Sequence, residues 1–253
     1  PPGGAIELVK AGVMEGVDEI YGLHLSSNYP TGKFGFVNGP LTSATDAFKI
    51  IVRGKGGHSS MPEQCVDPIV CAAQIVMGLQ NIKSRRISAY ETAVLSVCKI
   101  HGGDAYNIIP ETVEIEGSVR TFSKELRDDM PKMMEQIAGG IASSMGASAE
   151  VVYERGYSSV VNDDKLTDNA RKVVAEWFGN DSIMEIQPVM PGEDFSAFTE
   201  ATGCPGCFVE IGTRNHDKGT DMPHHNPKYL MDEDGLYYGT GYLAAVLEDR
   251  LMK

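Results

Sequence analysis

The stretch Gly54-Lys-Gly-Gly-His58-Ser-Ser-Met-Pro-Glu-Gln-Cys-Val-Asp67-Pro68 lies where a strand pattern ends and a helix pattern begins. Its glycines allow the backbone to pass close to another group. Asp67 and Pro68 are residue types preferred at a helix N-cap and at the first helical position. A histidine on such a loop can reach a ligand or a partner surface, and a solvated histidine on a plain surface turn is the alternative. This stretch alone favours neither.

The residues around this stretch, 44–158, alternate regularly between strand and helix patterns. Strands are predicted at 48–52, 93–100, 112–122 and 149–153, and helices at 67–82 and 124–145, with Pro131 as a break or restart of the second helix. The order is βαββαβ, that of the split, ferredoxin-like unit. The pattern predicts an inserted domain at 44–158.

The flanking residues have a different α/β pattern. We predict helices at 5–14, 165–178, 193–201 and 233–252, strands at 18–25, 185–189 and 208–211, and loops at 26–40 and 212–230. The two flanks, 1–43 and 159–253, are therefore expected to form one discontinuous α/β domain.

The composition excludes several classes of function. A net charge of −13 over 253 residues, with no cluster of Lys or Arg, argues against nucleic acid and anionic membranes as partners. No apolar run approaches the length of a membrane span. The five cysteines, an odd number, fit a reducing compartment such as the cytoplasm, and Cys204-Pro-Gly-Cys207 is interpreted as a tight turn rather than a redox or zinc motif. Small molecules and other proteins remain as partners.

Several polar residues could carry chemistry, although each also has an ordinary structural explanation. His24 is expected at the end of a strand, where α/β sheets place functional groups, but a satisfied core histidine is also common there. His224-His225 lies in a polar loop that suits either a metal ligand or a plain turn. Glu193 and Asp194 open a predicted helix, where the macrodipole favours acids even without a function. Arg120, on a polar strand face, could clamp a carboxylate or be solvated.

Taken together, these residues resemble the aminoacylase and carboxypeptidase family of two-metal peptidases, peptidase M20. The closest branch is its amidohydrolases, which include hippurate-type and indoleacetyl-amino-acid hydrolases. The matching motifs, in family order over the whole chain, are Gly3-Gly4-Ala5, Gly22-Leu-His24, Gly54-Lys-Gly-Gly-His58, Asp67-Pro68, Asn107-Ile-Ile-Pro110, Gly117-Ser-Val-Arg120, Gly192-Glu-Asp-Phe195 and His225-Asn-Pro. The resemblance implies a zinc-peptidase-like catalytic domain with an inserted lid or dimerisation domain.

The resemblance also implies roles for single residues. His24 and His225 match metal ligands of a site that holds two divalent ions (zinc, manganese, nickel or cobalt) and a bridging water. His58 matches a lid histidine that reaches the active site of the partner subunit in a homodimer and stabilises the oxyanion. The remaining matches concern substrate: Asn107 and Arg120 would hold its carboxylate end, and Gly192 and Glu193 would line its pocket. The implied reaction is hydrolysis of the amide bond of N-acyl amino acids, or of a related small conjugate or dipeptide.

One departure weakens the implied activity. The family's Cys-x-His and Glu-Glu pairs, which supply the other ligands and the general base, have no match here. We therefore expect the chain to be the C-terminal two-thirds of such an enzyme, and to bind metal weakly by itself. The alternative function is an inactive fragment or a non-catalytic dimerisation or binding module. Nucleotide binding at Gly54-Lys-Gly-Gly is rejected, because the loop lacks the Lys-Ser/Thr of a P-loop.

Overall fold

The computed structural model describes residues 3–252, which fold into two compact units. The central unit is Ser43–Ser159, and the terminal unit combines residues 3–42 with 160–252. Pro1, Pro2 and Lys253, which fall at the ends of the expected discontinuous domain, lie outside the described residues. No helix within residues 3–252 is long and apolar enough to cross a membrane.

The first part of the terminal unit contains more strand than expected. It consists of α1 (Gly4–Lys10), β1 (Ile20–Pro30), β2 (Phe34–Phe36) and β3 (Gly39–Pro40). The predicted helix at 5–14 is too long, and the prediction of a loop at 26–40 is wrong. Phe34 and Phe36 are completely buried and pair with strands from the end of the chain, so their structure depends on residues that local periodicity does not include.

The central unit has the predicted βαββαβ order. Its main elements are β4 (Ala44–Arg53), β5 (Gly57–His58), α2 (Pro68–Asn81), β6 (Ala93–His101), β7 (Ile108–Ile109), β8 (Thr112–Thr121), α3 (Lys124–Ser144) and β9 (Ser148–Arg155). The long strands form an antiparallel sheet in the order β6-β8-β4-β9. Alternation along β4 and β8 buries Ile50 and Ile115, which belong to one core with Ile75 of α2 and Met134 of α3.

The two helices of the central unit illustrate a correct and an incorrect prediction. Asp67 caps α2 as predicted, because its carboxylate accepts from the backbone N–H groups of Ile69 at 2.8 Å and Val70 at 3.4 Å. The predicted break at Pro131 is wrong, since α3 continues through it. Met130 and Met134 on either side of Pro131 are fully buried, and this packing outweighs the lost backbone hydrogen bond.

The rest of the terminal unit completes a mixed sheet. It contains β10 (Val161–Asn162), α4 (Asp164–Phe178), β11 (Ile183–Glu185), α5 (Ser196–Thr202), β12 (Gly206–Arg214) and α6 (Asp234–Met252). The sheet order is β1-β12-β2-β11, with β1 and β12 parallel. Phe34, Ile211 and Tyr242 lie in the core that α4 and α6 cover.

Three predicted boundaries in this part are shifted. The short strand expected at 185–189 is at Ile183–Glu185, and the helix expected from Glu193 begins at Ser196. The strand expected at 208–211 runs from Gly206 to Arg214, which shortens the loop that carries His224 and His225.

Candidate active site

His24 lies inside β1 rather than at its end, so that expectation is wrong. The residue opposite it on the neighbouring strand β12 is Glu210. The ring Nδ1 is 2.7 Å from the backbone oxygen of Leu25. Because a carbonyl oxygen can only accept, this contact places the proton of a neutral ring on Nδ1 and leaves the Nε2 lone pair free. Metal-binding histidines commonly donate one ring N–H to a protein oxygen in this way while the other nitrogen binds the metal.

Two carboxylates, those of Glu193 and Glu210, interact electrostatically with His24. Burial raises the pKa of both Glu193 and Glu210, and the charge of His24 opposes the rise in each case. The charge of His24 thus acts on the pKa of Glu193, another predicted site residue. Glu210 was missed, although a glutamate in the apolar run Cys207-Phe-Val-Glu-Ile211 is the kind of sequence signal that could have identified it.

Asp194, the second acid of the Gly192-Glu-Asp motif, stabilises a different helix from the one expected. Its carboxylate accepts from the backbone N–H of Ala5 at 3.0 Å, at the start of α1. A Cβ at Gly3 would lie 2.0 Å from the Asp194 carboxylate oxygen, so this contact requires a glycine there. Asp194 therefore joins the Gly3-Gly4-Ala5 and Gly192-Glu-Asp motifs within the terminal unit.

The loop after β12 brings a histidine to His24. The rings of His24 and His224 are 5.2 Å apart in an edge-on contact, and His224 also packs on Tyr229 with ring centroids 4.7 Å apart. The backbone N–H of Ser27 lies 3.4 Å from Nε2 of His224. Burial, followed by the charges of His24 and His225, lowers the pKa of His224. The structure thus places His224, and not the predicted His225, against His24.

His225 is distinguished by its backbone. It is exposed, and its φ of 65° is the single positive value among the non-glycine residues that the structure describes. A left-handed conformation at such a residue costs roughly 1–3 kcal/mol and is often found at functional sites. Its assignment as a metal ligand stays a prediction.

The residues of this cluster fit part of a metal site. His24 presents a free Nε2, and the hydroxyl oxygen of Ser27 is buried without a hydrogen-bond partner among the described residues. Within residues 3–252, however, no group of three or more His, Cys, Asp or Glu side chains is arranged to hold a metal ion. The cluster therefore contains imidazole groups of the type that bind metals, but its described residues do not form a complete coordination sphere.

A second group of predicted residues lies in the central unit. β5 pairs with β7, so that His58 is opposite Ile108, and the backbone N–H of Ser59 donates to the carbonyl of Asn107 at 3.1 Å. His58 and Asn107, 49 positions apart in sequence, are thus neighbours, and both are exposed. The glycines make this pairing possible, because a Cβ at Gly56 would lie 2.7 Å from the carbonyl oxygen of Ile109.

Arg120 lies on β8 of the same unit. It is opposite Thr45 on β4, and its Nη1 donates to the Thr45 hydroxyl. Lys49 and Lys99, on the neighbouring strands, are paired with Glu116. Arg120 has no carboxylate partner among the residues the structure describes. A guanidinium without a counter-ion can bind an anion such as a carboxylate.

The terminal unit therefore combines a mixed α/β sheet with a histidine and a glutamate, His24 and Glu210, opposite each other on two of its strands. The family model "Peptidase family M20/M25/M40" matches residues 1–249. The chain belongs to this family, as its motifs predicted.

Named relatives are similar over nearly the whole chain. Thermostable carboxypeptidase 1 of Saccharolobus solfataricus is 39% identical over 94% of this chain and 59% of its own length. N-acetylcysteine deacetylase of Bacillus subtilis is 39% identical over 95% of this chain and 61% of its own length. An IAA-amino acid hydrolase of Arabidopsis thaliana is 32% identical over 99% of this chain and 58% of its own length. The chain spans about 60% of the length of these relatives.

Solved structures agree with this assignment. A putative aminohydrolase from methicillin-resistant Staphylococcus aureus superposes with a TM-score of 0.91 at 32% identity, covering 99% of this chain and 64% of that one. A dinuclear metal-binding peptidase of the M20 family from Bacillus subtilis superposes with a TM-score of 0.81 at 34% identity, covering 98% and 61%. Both similarities confirm the zinc-peptidase-like α/β fold class.

Proposed function

We propose that the protein is a metal-dependent amidohydrolase that cleaves the amide bond of N-acyl amino acids or a related small conjugate or dipeptide. The observation that carries the proposal is His24, whose Nδ1–H donates to the Leu25 carbonyl so that Nε2 is free, and which lies opposite Glu210 on the neighbouring strand. The proposal is also supported by the family to which the chain belongs, and by relatives named N-acetylcysteine deacetylase and IAA-amino acid hydrolase.

His24 and His225 are the proposed metal ligands in this chain, within a site that holds two divalent ions in the complete protein. Such ions supply an acidified water and polarise the amide carbonyl. Glu193 and Gly192 are proposed to line the substrate pocket beside His24. His224, packed between His24 and Tyr229, would restrict the orientation of the His24 ring.

The residues of the central unit are proposed to act on the substrate. His58 would donate a hydrogen bond to the oxyanion of the tetrahedral intermediate. Arg120, which lacks a carboxylate partner among the described residues, would bind the substrate carboxylate together with Asn107. The central unit is thus proposed to be a lid and dimerisation domain inserted at residues 44–158.

The proposed partner of the central unit is a second copy of the chain. β6 lies at one edge of the sheet and has unpaired backbone groups for another strand. Exposed apolar side chains occur on β6 (Ile100, 54% exposed) and on α2 (Ile69, 44%, and Met77, 71%). Sedimentation velocity should show a dimer that Ile100→Lys weakens, while Leu251→Lys, an exposed site in the terminal unit, should leave it intact. A monomer at micromolar concentration would contradict this proposal.

The cytoplasm is the proposed location. All five cysteines are free thiols, and burial raises the pKa of the Cys207 thiol to about 11. Free thiols persist in reducing compartments.

The test of the activity is a panel of N-acyl amino acids with the complete protein, loaded with zinc or manganese. We expect hydrolysis, and His58→Ala should lower turnover about 100-fold while the metal content stays unchanged. Loss of metal in this variant would contradict the oxyanion role of His58. Absence of hydrolysis across the panel would instead favour a non-catalytic dimerisation or binding module, for which the incomplete ligand set within residues 3–252 is the supporting observation.

A further inference from the structure

Ser60 makes two contacts with one nitrogen of His58. Its backbone nitrogen is 3.2 Å and its hydroxyl oxygen 2.8 Å from Nδ1 of the ring. The residues are only two positions apart, and they lie in a turn closed by the 2.9 Å hydrogen bond from the N–H of Met61 to the carbonyl of His58. The Ser59–Asn107 backbone hydrogen bond, 3.1 Å long, joins the same turn to the residue that precedes β7.

The direction of these hydrogen bonds determines where the ring proton is. A backbone N–H can only donate, so Nδ1 must be the acceptor and carries no proton. A hydroxyl that approaches the same lone pair must then also donate. The neutral ring of His58, an exposed residue, therefore carries its proton on Nε2.

We infer that Ser60 is a positioning residue that holds neutral His58 in the Nε2–H tautomer. Because Nδ1 accepts hydrogen bonds from Ser60, the free side of the neutral His58 ring is the Nε2–H group, which donates a hydrogen bond and cannot act as a base. The turn supplies the backbone N–H, and the Ser60 hydroxyl adds a second donor that few residue types can provide. This inference deepens the role proposed for His58 and, for its consequence in catalysis, rests on the proposed function.

The tautomer can be measured directly in the 253-residue chain. Long-range ¹⁵N–¹H correlation spectra recorded at alkaline pH distinguish protonated from unprotonated ring nitrogens. His58→Gln identifies the His58 signals by their loss. In the unmodified chain we expect Nε2 to be protonated and Nδ1 to be bare and hydrogen-bonded.

Variants separate the hydroxyl from the backbone donor. Ser60→Ala should lower the ratio of Nε2–H to Nδ1–H tautomer about 2- to 10-fold, the factor that one net hydrogen bond is worth. Ser60→Thr, which keeps the hydroxyl, should retain the ratio. Ser59→Ala is the matched control, because this adjacent exposed serine donates to the Asn107 carbonyl through its backbone N–H, which the substitution keeps. Both Ser60 and Ser59 are exposed, so amide spectra should show an unchanged fold in all three variants.

The outcomes distinguish this inference from the proposed function. An Nδ1–H tautomer in the unmodified chain, or an unchanged ratio in Ser60→Ala, would overturn the positioning role of Ser60. In the complete protein with an N-acyl amino acid, Ser60→Ala should lower kcat several-fold at constant KM, and Ser60→Thr should restore it. A changed tautomer ratio with unchanged kcat would leave the positioning role standing and remove His58 from the proposed mechanism.

Discussion

Asp46 is a carboxylate on β4 that is 2% exposed and surrounded by donors from three segments. The guanidinium of Arg127 on α3 donates to it at 2.6–3.2 Å, the Tyr153 hydroxyl on β9 at 2.9 Å, and the backbone N–H of Gly156 at 3.1 Å. Burial, followed by the charge of Asp46, raises the pKa of Tyr153 well above its ordinary range, so this hydroxyl remains a donor. The Asp46 side chain thus joins β9, an edge strand of the sheet, to α3, the longer helix of the central unit.

Removing the charge of Asp46 should strongly destabilise the central unit. Asp46→Asn removes one partner of the buried Arg127–Asp46 ion pair, and breaking a buried pair in this way typically costs about 3–5 kcal/mol. Urea unfolding at pH 7, followed by circular dichroism, measures the change. The control is Asp128→Asn, which removes the partly exposed ion pair with Arg155 and should have a much smaller effect. Equal losses in the two variants would contradict the importance of the buried pair.

Among the secondary-structure elements, the loop between β12 and α6 is held at its base by the buried carboxylate of Asp232. Asp232 is 1% exposed and accepts from the Thr31 hydroxyl at 3.0 Å, the Asn215 amide at 2.8 Å, the Lys218 ammonium at 2.6 Å and the backbone N–H of Asp234 at 3.2 Å. These contacts, that of Lys218 above all, hold the pKa of Asp232 well below its usual range. The anchor lies seven residues after His225 and restrains the base of the loop that carries both histidines.

This anchor predicts an acid-dependent stability. A carboxyl group whose pKa is lowered by folding stabilises the folded state above the unfolded value, near pH 4, and loses that effect as the pH falls through the folded value. Asp232→Asn should therefore lower the melting temperature at pH 7 by about 2–8 °C. The difference from the unmodified chain should persist from pH 5 to 8 and shrink below about pH 4.

The matched control for Asp232 is Asp234. Asp234→Asn removes the second, exposed carboxylate partner of Lys218 and should change the melting temperature little. A difference between the Asp232 variant and the unmodified chain that grows as the pH falls would contradict the role assigned to Asp232.

For the molecule as a whole, the number of metal ligands limits how tightly it can bind a metal ion. Residues 3–252 contain no group of three or more metal-binding side chains, and the chain spans about 60% of its relatives' length. Metal affinity increases with the number of correctly placed ligands. The imidazoles of His24 and His225 alone are therefore expected to bind a divalent ion only weakly.

Metal removal tests this expectation. A chelator should leave the melting temperature of the 253-residue chain unchanged. In the complete protein, where about two ions per site are expected, the chelator should lower the melting temperature by several degrees. Zinc titration of the chain by calorimetry should give weak binding that His24→Ala abolishes, while His101→Ala, an exposed histidine of the central unit, should not affect it. Tight, stoichiometric binding by the chain alone would contradict the incomplete-site interpretation.

Features that depend on neighbouring residues could be predicted from the sequence. The βαββαβ order of the central unit followed from side-chain periodicity, and the start of α2 followed from Asp67 and Pro68, because faces and caps are set within a few positions. The order of the motifs was enough to assign the family. Three other features could be seen only in the folded chain: the strands within residues 26–40, the continuation of α3 through Pro131, and the position of Glu210 opposite His24, 186 positions away. Pairing and packing between distant segments decide these features, and no local pattern contains that information.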